Sequence, residues 1–564
     1  MGYSPSYMTW DAETWSGGYG VPAKAVHLRN LAVACDNLMS SITHFYHLAA
    51  PSYIQGPAMA PWTPWFNNAD YHALLQNPGG TRALPVLDEG FSADLWSAVI
   101  TQYVKALRIR RLIFEASALF IGRAPMTSNL VAGGVTVNYD DNQFADKCDT
   151  FKEIMETEVL PFIAKEYVPV ALALSALYLG YDNTHNGGNG WGDGLGYFLA
   201  WGNYPQPGGG IAVKGGKVDN LGTPDVFMSG RDDLNDAIQR VKDGLREYIT
   251  YSRYKDDLGN FDENNAAYPG DVTRTEVDRD GNPDGYSYMK APRFDGQARE
   301  VGPMARLYVN GFIADGQNLL TTVQAGCDLA GISGPVDLHV KTNTDNVTGL
   351  NPEWVSADLA VALVRDGLAT LTVGTTVYDA DDFAGFDNAT IVGAYTDPEA
   401  VITGTVFTHI AGLDGGISTM DRLRCRAIES LVHVQLVLGW IDDVKLLAGD
   451  PTFIAKPTPT GVRKGFGCID APRGALAHFS SIDKGKITAY QCVVPYTWNG
   501  SPRATGLTDV GATEAALIGV PFDNNIPVYI TPGPSGAPTN AAAGGIEVLR
   551  VAQSFDPCIA CAVH

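Results

Sequence analysis

The residues with the most evident chemistry stand at the end of the sequence, in "SFDPCIACAVH". Cys558 and Cys561 are three apart, and His564 follows after three more. A Cys-x-x-Cys pair offers two soft thiolates, which suit zinc, iron–sulfur clusters, copper(I) or nickel. Several chemistries compete for such a pair. A thioredoxin-like redox pair follows a strand and opens a helix, rather than closing a chain. Haem attachment requires histidine directly after the second cysteine, and here Ala562 and Val563 intervene. A zinc site needs further ligands of the same kind. A disulfide or an inert pair also fits the spacing, and His564 by itself reads as a solvated residue. The other six cysteines, Cys35, Cys148, Cys327, Cys425, Cys468 and Cys492, are scattered singly in apolar or helical settings. They read as buried thiols and not as a disulfide framework.

Long elements must carry this tail. Apolar residues recur at helical spacing over 27–50, 91–120, about 145–180 with breaks near Pro161 and Pro169, about 231–254, 301–330 and 418–447. Residues 1–20 are aromatic and glycine-rich and read as an irregular arm. Glycine-rich loops and short strands are expected over 182–228, a polar loop up to about 285, and loops with short strands over 450–550. Residues 331–416 change to a Thr/Val/Asp/Gly-rich composition, and "LATLTVGTTVYDA" reads as strand. The fold class is therefore mainly α with smaller β-containing lobes, built on long helices packed side by side. The division expected is 1–330 (arm, helices and loop-rich lobe), 331–416 (an inserted β-rich lobe) and 417–564 (a long helix and the metal-binding tail).

Composition narrows the function. The formal charge of −23 and the pI of about 4.7 argue against nucleic-acid binding. The hydrophobic share of 45% with 18% charged residues fits a folded protein. "MGYSPSYMTWDAETW" has no basic start and no apolar core of a secretory signal. The longest apolar run, "YVPVALALSALYLGY", is too short for a membrane span. Export would then rely on a signal-bearing partner.

"GFGCIDAPRGALAHFSSIDKGKITAYQCVVPYTWNGSPR" (465–503), followed by the tail, resembles the large subunit of nickel–iron hydrogenases. The resemblance extends through "HLRNLAVACDNLMSSITHFYHL", "ALRIRRLIFEASALFIGRAPMTSNLVAGGVT", "YSYMKAPRFDGQAREVGPMARL" and "RLRCRAIESLV". It implies that Cys558 is a terminal thiolate on nickel and that Cys561 bridges nickel and iron. The iron would carry carbon monoxide and cyanide. His564 would bind magnesium or a similar cation, helped by the backbone carbonyl of Cys492, which stands where relatives have leucine. The tail would then be buried and pinned by metals, and a terminus at His564 would match the processed form. Arg473 in "APRG" would lie over the metals with Pro472 beside it, its fixed donors suited to a cyanide nitrogen. It has been considered as a base in hydrogen splitting, a demanding role for a guanidinium. Asp556 would orient and tune Arg473. Tyr496 occupies a place where relatives have Ser or Thr donating to a cyanide, so Thr497 or a backbone N–H is the expected substitute. Ser40 would lie near the metal pocket, while His44 and His47 read as packing residues. Asp470 stands for a glutamate common before "APRG".

One part of the pattern is missing. The resemblance implies four thiolates on nickel, two of them from an Arg-x-Cys-Gly-x-Cys motif ahead of the "LRN" helix. No second Cys-x-x-Cys exists in this sequence, and the glutamates of that region are missing too. The expectation is a split large subunit, with a separate polypeptide supplying the first half-site. A small subunit holding iron–sulfur clusters would take the electrons, since this chain lacks cysteines for its own. The activity expected is oxidation of H2 to protons and electrons. A hydrogen sensor and a non-catalytic structural relative are the alternatives. The tail resembles membrane-associated uptake enzymes, which places the protein on the outer or periplasmic side, with the cytoplasm as the alternative.

Overall fold

The computed structural model describes residues 21–53, 92–174, 191–310, 416–520 and 546–562, apart from short gaps, and brief stretches between 349 and 403. Helix α1 (Ala23–Thr43) starts behind Pro22 and continues without a break into a π turn, His44–Ala49. Such turns are rare and recur at functional sites. Helix α2 (Ser92–Ile121) packs along α1. Helix α3 (Asp141–Ile154) is capped by Asp140, which accepts from the Gln143 N–H at 2.9 Å. The chain then passes through π turns at Met155–Val159 and Ile163–Tyr167, on either side of Pro161. Proline has no N–H to give the ladder, yet the break expected there takes the form of π turns within a helix that continues through Pro161, while Pro169 lies outside the described residues.

A central strand then organises the next lobe. Strands β1 (Phe198–Ala200), β2 (Asn203–Pro205) and β4 (Asp225–Gly230) all pair antiparallel with β3 (Gly210–Val218). Helix α4 (Leu234–Gly244) is shorter than expected, because the chain turns extended at Leu245. Residues Leu245–Tyr248 form β5, paired with β6 (Ala291–Phe294). Leu245 and Glu247 point inward and their neighbours outward, a period of two that pairing enforces over helical propensity. Helix α5 (Pro303–Val309) is buried along its whole length, and the rest of the helix expected to 330 lies outside the described residues. The described pieces of 331–416 form one four-stranded antiparallel sheet: Gly349–Leu350, Thr370–Val373, Thr376–Tyr378 and Ala400–Thr403.

Helix α6 (Thr419–Leu446) opens with a capping box, Ser418 and Asp421 serving each other's backbone N–H. It packs on α1, α3 and α5, and is enclosed on nearly every side. Loops with short strands were expected next. The structure instead has a long meander: β7 (Arg463–Ala471), β8 (Gly474–Asp483) and β9 (Lys486–Val493). Its glycines, which weaken a strand reading, conceal it in the sequence. Short helices α7 (Pro495–Asn499), α8 (Ala512–Leu517), α9 (Ile546–Ser554) and α10 (Ile559–Ala562) complete the chain. The largest core lies among α1, α2, α3 and α6, and a second sits under the sheets around Trp201 and Trp498.

Candidate metal centre

The tail is positioned by α9, which ends at Ser554. Phe555 is buried beneath the guanidinium of Arg422, 3.8 Å from the ring centre. Asp556 then takes a left-handed conformation, φ +54°, and reverses the chain. Aspartate tolerates this better than most residues. Its N–H donates to the Gln553 carbonyl at 2.9 Å. Cys558 stands just before α10 and Cys561 lies on it, their Cα atoms 5.4 Å apart and their sulfurs joined as a disulfide. A metal would require both reduced. The expectation of a buried tail holds only in part. Phe555, Asp556 and Ala562 are buried, Cys558 is half-buried, and Pro557, Ile559, Ala560 and Cys561 are exposed. The thiol pair stands on an open face of this chain, one turn from an enclosed carboxylate.

Arg473 reaches that carboxylate from the β7–β8 turn. Ala471 pairs with Gly474, so Pro472 and Arg473 form a two-residue connection at its tip. Gly474 has φ +125°, and a Cβ there would meet Gly302 N at 2.5 Å. Only glycine fits. Arg306 of α5 holds the turn from behind. It donates to the carbonyls of Ala471 (3.0 Å) and Pro472 (3.1 Å) while pairing through two nitrogens with Glu429 of α6. Arg473 Nε lies 3.0 Å from Asp556 Oδ1 and donates to the Asp556 carbonyl at 3.2 Å. The pairing expected from sequence is present.

Electrostatics at this point are set by burial and three neighbours. Burial alone would push the Asp556 carboxyl up, but His44, Arg426 and Arg473 outweigh it and hold it below the usual carboxylate range. Burial pushes His44 down to about 4, with Asp556 opposing and Arg426 adding to the fall. The imidazole is neutral near pH 7, and its Nε2–H donates to the Gln553 carbonyl at 2.7 Å. That places His44, read from sequence as a packing residue, directly behind the tail. Asp36, one helical turn before Ser40 on α1, was not singled out at all. Burial raises its carboxyl, and Arg473 is among the charges that oppose the rise.

The remaining sequence candidates fall as follows. Ser40 is buried on α1, and its carbonyl accepts the His44 N–H. Tyr496 and Thr497 lie on α7, which packs against α10. Burial raises the Tyr496 phenol, which lies beside Thr513 of α8. The Thr497 hydroxyl is enclosed and has no hydrogen-bond partner, and the same holds for Trp498 Nε1 on the same helix abutting the cysteines. Cys492 is buried in β9, its thiol pushed up to about 11 by burial. Asp470 is buried and accepts the Gly202 N–H at 2.7 Å. His564 lies outside the described residues. Among the described residues no group of three or more His, Cys, Asp or Glu could enclose a metal ion. What is present fits part of a nickel–iron centre: two soft donors, a guanidinium paired with the carboxylate two residues before the first of them, and an unpartnered hydroxyl on the adjoining helix.

Sequence and fold comparisons define the class. The nickel-dependent hydrogenase profile matches residues 90–336 and 389–564, and the chain belongs to that family. Within it the chain aligns with large subunits. It is 28% identical over 544 residues to the periplasmic [NiFeSe] hydrogenase large subunit of Desulfomicrobium baculatum, covering 95% of this chain and 77% of that one. It is 26% identical over 609 residues to the uptake hydrogenase large subunit of Rhizobium leguminosarum bv. viciae, covering 97% and 82%. A solved structure of the reduced, active Ni-Fe-Se hydrogenase from Desulfomicrobium baculatum superposes with a TM-score of 0.62 at 26% identity, covering 96% and 83%. This chain carries cysteine at both 558 and 561.

Proposed function

We propose that this chain forms the larger part of a hydrogenase catalytic subunit, on the long-helix scaffold of that type, and oxidises H2 to two protons and two electrons. The observation that carries this reading is the Cys558–Cys561 turn, held against the Arg473–Asp556 pair by α6, α7 and the β7–β8 turn. Cys558 and Cys561 would hold a nickel–iron centre through their thiolates, the iron of which would bear carbon monoxide and cyanide. When bound, that centre supplies Lewis-acidic metals that polarise dihydrogen. Arg473 presents guanidinium donors to an anionic ligand of the metals. Asp556 fixes Arg473, and Pro472 walls the pocket with Ser40 nearby. Thr497 supplies the hydroxyl that Tyr496, turned toward Thr513, does not. A released proton would be received at Cys558 Sγ, or at an Arg473 nitrogen only after that guanidinium had itself given up a proton. His564 and the Cys492 carbonyl hold magnesium or a similar cation.

Two further thiolates would come from outside these 564 residues. The exposed face of α10 supports an additional covering segment. An iron–sulfur small subunit takes the electrons. Residues 331–416 are an inserted β-rich lobe, which the four-stranded sheet and the unmatched interval 337–388 support. The remaining divisions are 1–330 and 417–564. Among the described residues no helix is long and apolar enough to cross a membrane. The periplasmic and uptake relatives favour the outer side of the membrane, reached with a partner.

The test is Cys558→Ser in the assembled enzyme. Nickel content and H2 oxidation with an artificial acceptor should both fall to background. Retention of either refutes the assignment of Cys558.

A further inference from the structure

Arg473 is not the only cation on Asp556. The carboxylate is divided: Oδ1 lies 3.0 Å from Arg473 Nε, and Oδ2 lies 3.2 Å from Nη1 of Arg426. The two arginines are unlike each other. Arg473 sits at the tip of a two-residue turn, with 31% of its side chain exposed. Arg426 is enclosed in α6, a helix buried along most of its length. An arginine alone with a carboxylate favours a two-point, fork-on-fork pairing. Such a pairing would draw both oxygens of Asp556 onto Arg473 and commit an Nη group of that guanidinium to Asp556. The observed arrangement differs. Arg473 meets Asp556 side-on through Nε alone, which contacts both Oδ1 and the main-chain carbonyl. Both Nη groups of Arg473 are left uncommitted to this carboxylate.

We infer that Arg426 is a positioning residue for the reaction: by holding Oδ2 it keeps Asp556 from closing on Arg473, and so aims the Nη donors of Arg473 toward the cysteine side. This rests on the proposed role of Arg473 over the metals. His44 contributes on the same side, because its Nε2–H and the Asp556 N–H share the Gln553 carbonyl and fix the left-handed turn. Arg426 touches neither cysteine nor any reacting atom in this arrangement. Its effect runs through Asp556.

The experiment compares Arg426→Met and Arg426→Lys, each alone and combined with Asp556→Asn, in the assembled enzyme. Arg426→Met should leave nickel content unchanged, lower the H2 oxidation rate about 10- to 100-fold and shift the infrared bands of the iron-bound cyanides. Arg426→Lys should recover most of the rate. In the Asp556→Asn background neither change should alter rate or bands further, since the intermediary is already lost. Equal losses in both backgrounds, loss of nickel, or wild-type rate and bands in Arg426→Met would each overturn the inference. A crystal structure of Arg426→Met provides a readout independent of nickel. It should show Asp556 and Arg473 paired at two points, and an unchanged single Nε contact would overturn the inference. Should the Met variant fail to accumulate, Arg426→Gln, which likewise removes the charge facing Oδ2, takes its place. A cyanide shift that disappears with Asp556→Asn supports the role, and unshifted bands refute it. The parent reading is tested separately, because Cys558→Ser removes nickel and Arg426→Met does not.

Discussion

Thiol labelling separates the tail cysteines from the rest by orders of magnitude, and the structure gives the size of the difference. Cys561 is exposed on a short helix facing outward, and Cys558, just before that helix, is half-buried. Cys35, Cys148, Cys425, Cys468 and Cys492 are all buried free thiols. Burial pushes Cys492 up to about 11 and Cys148 up to about 12, and raises Cys35, Cys425 and Cys468 as well. The thiolate is the reacting form. At pH 8 an ordinary thiol is about a quarter ionised, whereas one titrating near 11 is about a thousandth ionised. Ionisation alone therefore slows Cys492 by roughly a few hundredfold relative to an ordinary exposed thiol, and occlusion slows it further. The assay is a time course of iodoacetamide labelling on the protein after mild reduction, read by peptide mass spectrometry. Cys558 and Cys561 should saturate while the five buried thiols remain unmodified. In the fully assembled, nickel-loaded enzyme the tail pair should become protected. Labelling of Cys492 or Cys468 at the rate of Cys561 would refute the burial argument. Tail labelling unaffected by nickel would refute the ligand assignment.

Arg306→Met should cost about 3–5 kcal/mol in chemical denaturation, because it strands the buried Glu429 carboxylate. It should also lower activity by freeing the turn that carries Arg473. Gly474→Ala forces a side chain into Gly302 and Val301 at a positive φ, and should cost about 1–3 kcal/mol, measured as a lower melting temperature. For acid stability the signs oppose. His44 and His433 are held near 4 by burial, so stability present above pH 6.5 is lost as pH falls from 6.5 to 4. Asp470 is raised to about 6 by burial despite Arg306, so it destabilises increasingly as pH rises from 4 to 6, by about 3 kcal/mol. Asp470→Asn should therefore steepen the acid loss between pH 6 and 4 in denaturation curves taken across that range. An unchanged slope would show that Asp470 titrates normally.

What sequence reading recovered, and what it missed, follow from range. The helices over 27–50, 91–120 and 418–447 were legible because their pattern is local and long. The structure places them at Ala23–Ala49, Ser92–Ile121 and Thr419–Leu446. Arg473 and Asp556 stood out through short motifs, and their contact is present. Arg426 and Arg306 did not stand out, because their partners lie more than a hundred residues away and a charge on a helix ordinarily reads as solvated. A signal was available nonetheless. Arg422, Arg424, Arg426 and Glu429 fall on a helix whose apolar residues run round its circumference, leaving little surface for them. Strand β5 was missed, and the β7–β9 meander was expected only as short strands among loops, for the converse reason: pairing with other strands, not local propensity, sets their extended form. The exposure of the cysteine turn was likewise beyond reach, since it depends on what packs over it.

Helix α6 fixes angles as well as contacts. Asp421, Arg422, Arg426, Glu429 and His433 each meet a different neighbour around one axis. Each residue along an α-helix advances the direction by about 100°. One residue inserted between Arg422 and Arg426 would swing Arg426 and Glu429 together, detaching Asp556 and Arg306 in the same event while leaving composition and hydrophobicity almost untouched. The helix behaves like a camshaft. Individual lobes can be reshaped one at a time, but their phase belongs to the whole shaft.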